Sequence, residues 1–167
     1  MKNFIGDNEL TSKEDWDDSW SKILLRTIND NDSILGKDGA FLRSTEKYLL
    51  INSGANILEL GGACSSYLCS LAKYRKANAS VIDYSHIGLN KTKILFEMNG
   101  QKINLYEGDF FEYDFKEEKF DLVVHWGLIE HFKDPSQIFK LCSSLLKKSG
   151  SMIFTMPNME AWGASFW

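Results

Sequence analysis

The sequence predicts an α/β fold: a doubly wound, mostly parallel sheet with helices on both faces. Two observations carry this. From about residue 56 to residue 156, short apolar runs alternate with amphipathic helical stretches, and such alternation builds parallel sheets through right-handed crossovers. Several of the apolar runs also lead straight into glycine, acidic or histidine residues, and ligands of these sheets sit at the carboxyl ends of the strands. The 167 residues suit one domain, and eleven Phe, six Tyr and five Trp supply core material.

Taken in order, residues 11–28 read as an amphipathic helix. Thr11 and Glu14 fit a capping box, and Trp16, Trp20, Ile23, Leu24 and Thr27 recur at helical spacing. A second helix covers about 40–51. Asn56-Ile57-Leu58-Glu59-Leu60 is the first strand, stopped by Gly61-Gly62. Ser65 or Ser66 caps the next helix, with Tyr67, Leu68, Leu71 and Ala72 on one face. Residues 79–83 form the second strand, and Ser85 caps a helix bearing Ile87, Ile94, Leu95 and Met98. Residues 102–106 and 120–125 are the third and fourth strands. Asp134 then reads as an N-cap, with Pro135 at the first helical position and Gln137 completing a capping box. Ile138, Phe139, Cys142, Leu145 and Leu146 are the buried face of that helix, which Lys147, Lys148 and Gly150 end. Residues 151–156 are the fifth strand.

Composition narrows the function. A net charge of −4 argues against a general nucleic-acid binder, which needs a basic face. Cys64, Cys69 and Cys142 are odd in number and form no C-x-x-C pair, so they read as reduced intracellular thiols, and zinc is not expected. The opening MKNFIGDNEL lacks the apolar run of a signal peptide, and no stretch approaches the roughly 18 apolar residues of a membrane span. A cytoplasmic protein is expected.

The strand ends hold the candidate chemistry. In Glu59-Leu60-Gly61-Gly62-Ala63-Cys64-Ser65, small residues let backbone N–H groups approach a ligand beside a helix N-terminus; the alternative is a tight turn that binds nothing. Asp83 stands 24 residues after Glu59, placed to accept from both hydroxyls of a ribose or to cap an exposed turn. Nicotinamide-binding folds share that acid. The choice comes from Glu59, two residues before Gly61. A carboxylate there repels a pyrophosphate, and the third glycine of the phosphate fingerprint falls at Ser66. A cationic ligand fits better, and S-adenosylmethionine carries a sulfonium, an ammonium and no phosphate. After the third strand, Asp109 can accept from an adenine amino group and Phe110 can cover the ring, unless this is a charged turn with Phe110 in the core. The fourth strand runs into His125-Trp126-Gly127-Leu128-Ile129-Glu130-His131-Phe132. His125 is there either a reacting group or a satisfied, partly buried histidine, and His131 either a reacting group or a surface loop residue.

Together, ILELGGACSSYLCSLA, VIDYS, YEGDFF, FDLVVHWGLIEHFKDP and LLKKSGSMIFTMPN resemble the class I S-adenosylmethionine-dependent methyltransferases, small-molecule type, over about residues 45–158. The resemblance implies a Rossmann-like sheet of strand order 3-2-1-4-5 with N-terminal helices. It implies a cofactor site of Glu59, Gly61, Ala63, Ser65, Asp83, Tyr84, Asp109, Phe110, His125 and Trp126, with S-adenosylhomocysteine as product. Trp16-Asp17 looks like a segment that lids the cofactor. Residues 1–52 are thus expected to form a helical cap, and 53–167 the cofactor-binding core. Two family glycines are replaced, by Ala63 and Ser65. The family's sixth and seventh strands have no sequence here, so the chain is expected to be a domain truncated after the fifth strand.

Methyl transfer to a small-molecule acceptor is the expected reaction. Positioning suffices for an amine or thiol, whereas a hydroxyl wants a base, His131 first and His125 second. The rival readings are an inactive cofactor-binding module that completes or regulates a partner, and a nicotinamide oxidoreductase, which Glu59 disfavours. Because 151–156 would be a sheet edge without charge or proline, pairing with a second copy, with a partner chain, or with the tail carrying Trp162, Phe166 and Trp167 is expected there.

Overall fold

A computed structural model of the chain describes residues 11–48 and 52–158. The end of the expected second helix and the aromatic tail from 159 onward lie outside the described residues. The elements run α1 (Lys13–Lys22), α2 (Ala40–Tyr48), β1 (Asn56–Leu60), α3 (Ser66–Arg75), β2 (Asn78–Asp83), α4 (His86–Met98), β3 (Ile103–Glu107), β4 (Phe120–Trp126), a 3₁₀ turn (Ile129–His131), α5 (Ser136–Leu145) and β5 (Leu146–Thr155). The five strands form one sheet of order β3-β2-β1-β4-β5, and every pairing is parallel. This is the Rossmann-like order that the resemblance implies.

Two apolar clusters sandwich the sheet. Ile57, Val81, Leu122 and Val124 face α3 and α4, joined by Leu68, Leu71, Leu89 and Phe96. Leu58, Leu60, Ile82 and Val123 face the other way, against Ile138, Cys142 and Leu145 of α5. Burial on both faces explains why β1 and β4 read as near-continuous apolar runs. Ile28, Leu35 and Leu42 belong to the first cluster, so the N-terminal segment shares the core of the sheet.

Several expectations need correction. The first helix stops at Lys22, and its capping box is Ser12 with Asp15, one residue beyond Thr11 and Glu14. It buries none of its residues, so no packing carries the helical pattern on through Ile23 and Leu24, which are exposed. Gln137 makes no capping box; instead Asp134 accepts from the Ser136 N–H at 2.9 Å and from its hydroxyl at 3.0 Å, a local turn just ahead of the helix. The helix capped by Ser85 forms as expected; of the apolar residues it bears, Leu95 is buried and Ile87, Ile94 and Met98 are exposed. β5 begins at Leu146, five residues early. Phe120 and Leu122 of β4 pair with Leu146 and Ser151, so the one residue between the first pair faces four between the second, and the excess bulges out at Lys147 to Gly150. Among the described residues β5 forms one sheet edge, with Phe154 exposed.

Candidate functional site

The site grows from the turn after β1. Gly61 takes a positive φ of 59°, a conformation glycine adopts without strain. Its N–H donates to the Ile82 carbonyl at 2.9 Å. Gly62 is small for a different reason. A Cβ there would lie 2.5 Å from Glu59 Cγ and 2.6 Å from its Cδ, so the Glu59 side chain folds over the glycine. Ala63 N–H donates to Asp83 at 3.2 Å, and Cys64 N–H to Thr92 Oγ1 at 2.8 Å. Ser65 caps α3, accepting from Leu68 N–H.

Glu59 is almost wholly buried. Burial pushes its carboxyl up to about 8; Ser65 and Trp126 pull the other way, and the nearby charge of Asp83 adds to the rise. Trp126 lies close enough to act on that charge, yet neither its Nε1 nor Glu59 Oε2 closes a hydrogen bond of good geometry within the protein. The Trp126 ring is wedged between Phe41 of α2 and Tyr67 of α3, at 5.4 and 5.5 Å.

Asp83 ends β2, also buried. One oxygen accepts from Ala63 N–H and the other from Ser85 N–H at 2.8 Å. Tyr84, half-buried, follows it. The backbone N–H of Gly108, after β3, donates to the Asp83 carbonyl and brings Asp109 alongside. Asp109 is half-buried and accepts from Phe111 N–H at 2.8 Å. Phe110 is buried, against Phe111 and Phe132.

Beyond β4 the chain turns at Gly127, φ 62°, into the 3₁₀ turn. Leu128 leans over the glycine turn, its Cδ1 3.0 Å from where a Gly61 Cβ would stand. His131 is half-buried; its Nδ1 pairs with Thr11 Oγ1 at 2.8 Å, and the Trp16 ring meets it edge-on at 4.9 Å. Trp16 stacks on Trp20 at 5.3 Å. Trp20 in turn reaches α4, with Cδ1 2.9 Å from a notional Gly88 Cβ. Asp17 accepts from the Ser85 hydroxyl. Helix α1 therefore spans the mouth between the β2 end and His131.

The structure brings Glu59, Gly61, Ala63, Ser65, Asp83, Trp126 and Asp109 to the carboxyl edge of the sheet, with His131 across the mouth. It does not bring His125 there. That ring has no exposure, stacks on Phe154 at 5.4 Å, and sits on the α5 side of the sheet, the side opposite Glu59 and Trp126. Burial pushes its pKa down to about 4, and among the described residues neither ring nitrogen has a hydrogen-bond partner. The alternation of strand side chains was the available signal, since adjacent His125 and Trp126 must face opposite ways. Three further residues join the ring: Thr92, which holds the Cys64 N–H; Trp20, whose Nε1 is buried and unpaired; and Glu130, whose Oε2 is likewise unpaired.

A parallel α/β sheet whose strands deliver a glycine turn and three acids to one edge is the build of a small-ligand-binding domain. Its family follows from sequence: a methyltransferase-domain family model matches residues 36–166, and the chain belongs to that family. Among curated proteins, a ubiquinone biosynthesis O-methyltransferase of Pasteurella multocida is 39% identical over 49 residues, covering 28% of this chain and 20% of that protein. Two solved structures share the fold. An S-adenosylmethionine-dependent methyltransferase of Thiobacillus denitrificans, in complex with S-adenosyl-L-homocysteine, superposes with a TM-score of 0.58 at 20% identity, over 81% of this chain and 60% of that one. Its counterpart from Geobacter sulfurreducens, also with S-adenosyl-L-homocysteine, gives 0.58 at 17% identity, over 77% and 55%. The chain thus spans little more than half the length of these structures. Among the described residues, no helix is long and apolar enough to cross a membrane.

Proposed function

We propose that this domain binds S-adenosylmethionine along the β1, β2 and β3 ends and passes its methyl group to a small-molecule acceptor near His131. The observation that carries the reading is Glu59. Beside the burial itself, the groups among the described residues that act on its charge are Ser65, Trp126 and a second acid, Asp83, and none is a cation. A buried carboxylate with an unpaired oxygen calls for a positive partner, and an ammonium or sulfonium ligand supplies one. The structures of relatives holding S-adenosyl-L-homocysteine support the same ligand.

When bound, S-adenosylmethionine supplies a methyl group activated by its sulfonium. In this reading Glu59 and the Gly61–Ser65 turn hold the amino-acid end, with Trp126 beside it. Asp83 takes the ribose hydroxyls, Tyr84 borders them, and Asp109 takes the adenine amino group. Phe110 supports the adenine floor from within the core. His131 is the base for a hydroxyl acceptor in the tautomer whose Nδ1–H donates to Thr11 Oγ1, which leaves Nε2 to take the proton. His125, sealed on the far face, drops out of that role. Since Ile28, Leu35 and Leu42 pack in the core, the lid within residues 1–52 narrows to α1. The unpaired thiols Cys64, Cys69 and Cys142 suit a reducing compartment, and we place the protein in the cytoplasm.

Calorimetry tests the cofactor: S-adenosylhomocysteine is expected to bind and NAD not to, and the reverse preference overturns the reading. The β5 edge, with Phe154 40% exposed, favours a second reading, a cofactor-binding module that a second copy or partner chain completes by pairing there. Release of labelled methyl to a small-molecule panel by the chain alone argues for the first reading. Hydrogen exchange at residues 153–155 that slows with rising protein concentration argues for the pairing.

A further inference from the structure

We propose that Asp17 of α1 is a positioning residue for the cofactor pocket, acting through Ser85 on Asp83; this rests on the assignment of Asp83 to the cofactor. The starting point is a helix with no core of its own. Helix α1 buries none of its residues, so specific ties must hold it across the mouth. At its C-terminal end, Lys91 of α4 donates to the carbonyls of Ser21 and Ile23, both at 2.7 Å. In its last turn, Trp20 lies against Gly88, where even a methyl group would collide with both Trp20 and Ala63. Nearer the middle of the helix, Asp17 accepts the Ser85 hydroxyl hydrogen.

That third tie reaches the binding acid. Ser85 is fully buried, and each of its polar groups has one job. Its oxygen accepts from Gly88 N–H at 2.9 Å, capping α4. Its backbone N–H donates to Asp83 Oδ1 at 2.8 Å. Its hydroxyl hydrogen goes to Asp17, 68 residues away in sequence. A buried hydroxyl without an acceptor is costly, so lifting α1 forces Ser85 to re-orient at the point that fixes one oxygen of Asp83. The other oxygen accepts from Ala63 N–H, and Ala63 packs against Gly88, the same glycine that Trp20 of α1 covers. One support of Asp83 is therefore tied to α1 through Asp17, and the other packs on a residue that α1 covers. Docking of α1 and ligand binding at Asp83 favour each other, and the coupling runs equally in both directions.

The test measures S-adenosylhomocysteine affinity by calorimetry and α1 docking by fluorescence of Trp16 and Trp20, in wild type, Asp17→Ala, Asp17→Asn, Ser85→Ala and the double variant. Asp17→Ala is expected to weaken binding roughly tenfold, the size of one hydrogen bond to a charged acceptor, with a modest fall in melting temperature from the stranded Ser85 hydroxyl. Asp17→Asn, whose amide oxygen accepts the same hydrogen, recovers most of the affinity. In the Ser85→Ala background, Asp17→Ala adds nothing. Ligand should shift the tryptophan emission of wild type and of Asp17→Asn, and do so less in Asp17→Ala. If wild type binds and Asp17→Ala binds equally well, or if the two substitutions simply add, this inference fails while the cofactor assignment stands. A wild-type chain that takes up no S-adenosylhomocysteine overturns the cofactor assignment, and this inference with it.

Discussion

The carboxyl edge of the sheet has two halves built by different means. At the β1–β2 end, backbone does the work: a left-handed glycine shapes the turn after Glu59, and the N–H groups of Ala63 and Ser85 fix both oxygens of the buried Asp83 carboxylate. At the β4 end, side chains from afar do it: His131 is set by Thr11, 120 residues earlier, and by Trp16. The first half is assembled between neighbouring strand–turn–helix units, with α1 tied to it through Asp17 and Ser85. The second exists only once α1 has come to rest. Loosening α1 should therefore weaken binding by the Asp17–Ser85 tie alone, whereas acceptor chemistry should depend on α1 docking outright.

The sharpest way to break that contrast is His131→Ala. With a hydroxyl acceptor, turnover should fall about 10²–10⁴-fold, the usual contribution of a general base, while S-adenosylhomocysteine affinity stays nearly constant. A variant that turns over as fast as wild type removes His131 from the chemistry; a parallel loss of affinity would show that the two halves are not separate.

On the other half, Glu59 gives a pH signature. Its folded-state pKa, about 8, lies above its ordinary 4.5. The associated stability is complete below about pH 4.5 and is lost as pH rises through 8. Each tenfold change in proton affinity is worth about 1.4 kcal/mol, so the loss should be on the order of 3–5 kcal/mol by about pH 9. Denaturant titrations at about pH 6 and 9 should show roughly 2–3 kcal/mol of it in wild type, the part lost over the last two pH units below the folded pKa, and not in Glu59→Gln. A cationic ligand draws the carboxyl back toward its charged form, so binding near neutral pH should release close to one proton, read from calorimetry in buffers of different ionisation enthalpy. Proton release that persists in Glu59→Gln would assign it elsewhere.

Smaller effects sharpen the picture of the binding half. Asp83→Ala should cost about 2–4 kcal/mol of S-adenosylhomocysteine affinity, two hydrogen bonds to a charged acceptor; unchanged affinity removes the ribose assignment. Asp109→Ala should cost about 1 kcal/mol, and less with an analogue lacking the adenine amino group. An equal loss for both ligands would make Asp109 a structural turn residue.

The same contrast decides what can be read from sequence. The run Asn56–Leu60, the serine caps at 65 and 85, and the strand-end acids are legible because each is a local pattern with a local physical cause. The length and cap of α1 are not: Thr11-x-x-Glu14 is the better-formed box on sequence, but the Thr11 hydroxyl is taken up by His131, 120 residues away, and Ser12-x-x-Asp15 closes instead. His125 misleads because its chemistry speaks louder than its pleat: a histidine next to a strand end suggests catalysis, but the register fixes its face. Trp20 and Ser85 are visible as a periodic aromatic and a cap. Their second roles, against Gly88 and Asp17, require knowing which helices touch.

The bulge at the start of β5 has a consequence for tolerance to change in length. Lys147, Lys148 and Ser149 are exposed, and they sit outside a register that resumes only at Ser151 opposite Leu122. Residues inserted between Lys148 and Ser149 would enlarge a loop that already stands off the ladder, at a small entropic cost. One residue inserted two or three positions later would rotate the rest of the strand by half a pleat and carry Phe154 from His125 and Phe139 to the opposite face. Within four residues, the chain passes from the place most forgiving of an insertion to one where a single added residue would unseat the edge of the sheet.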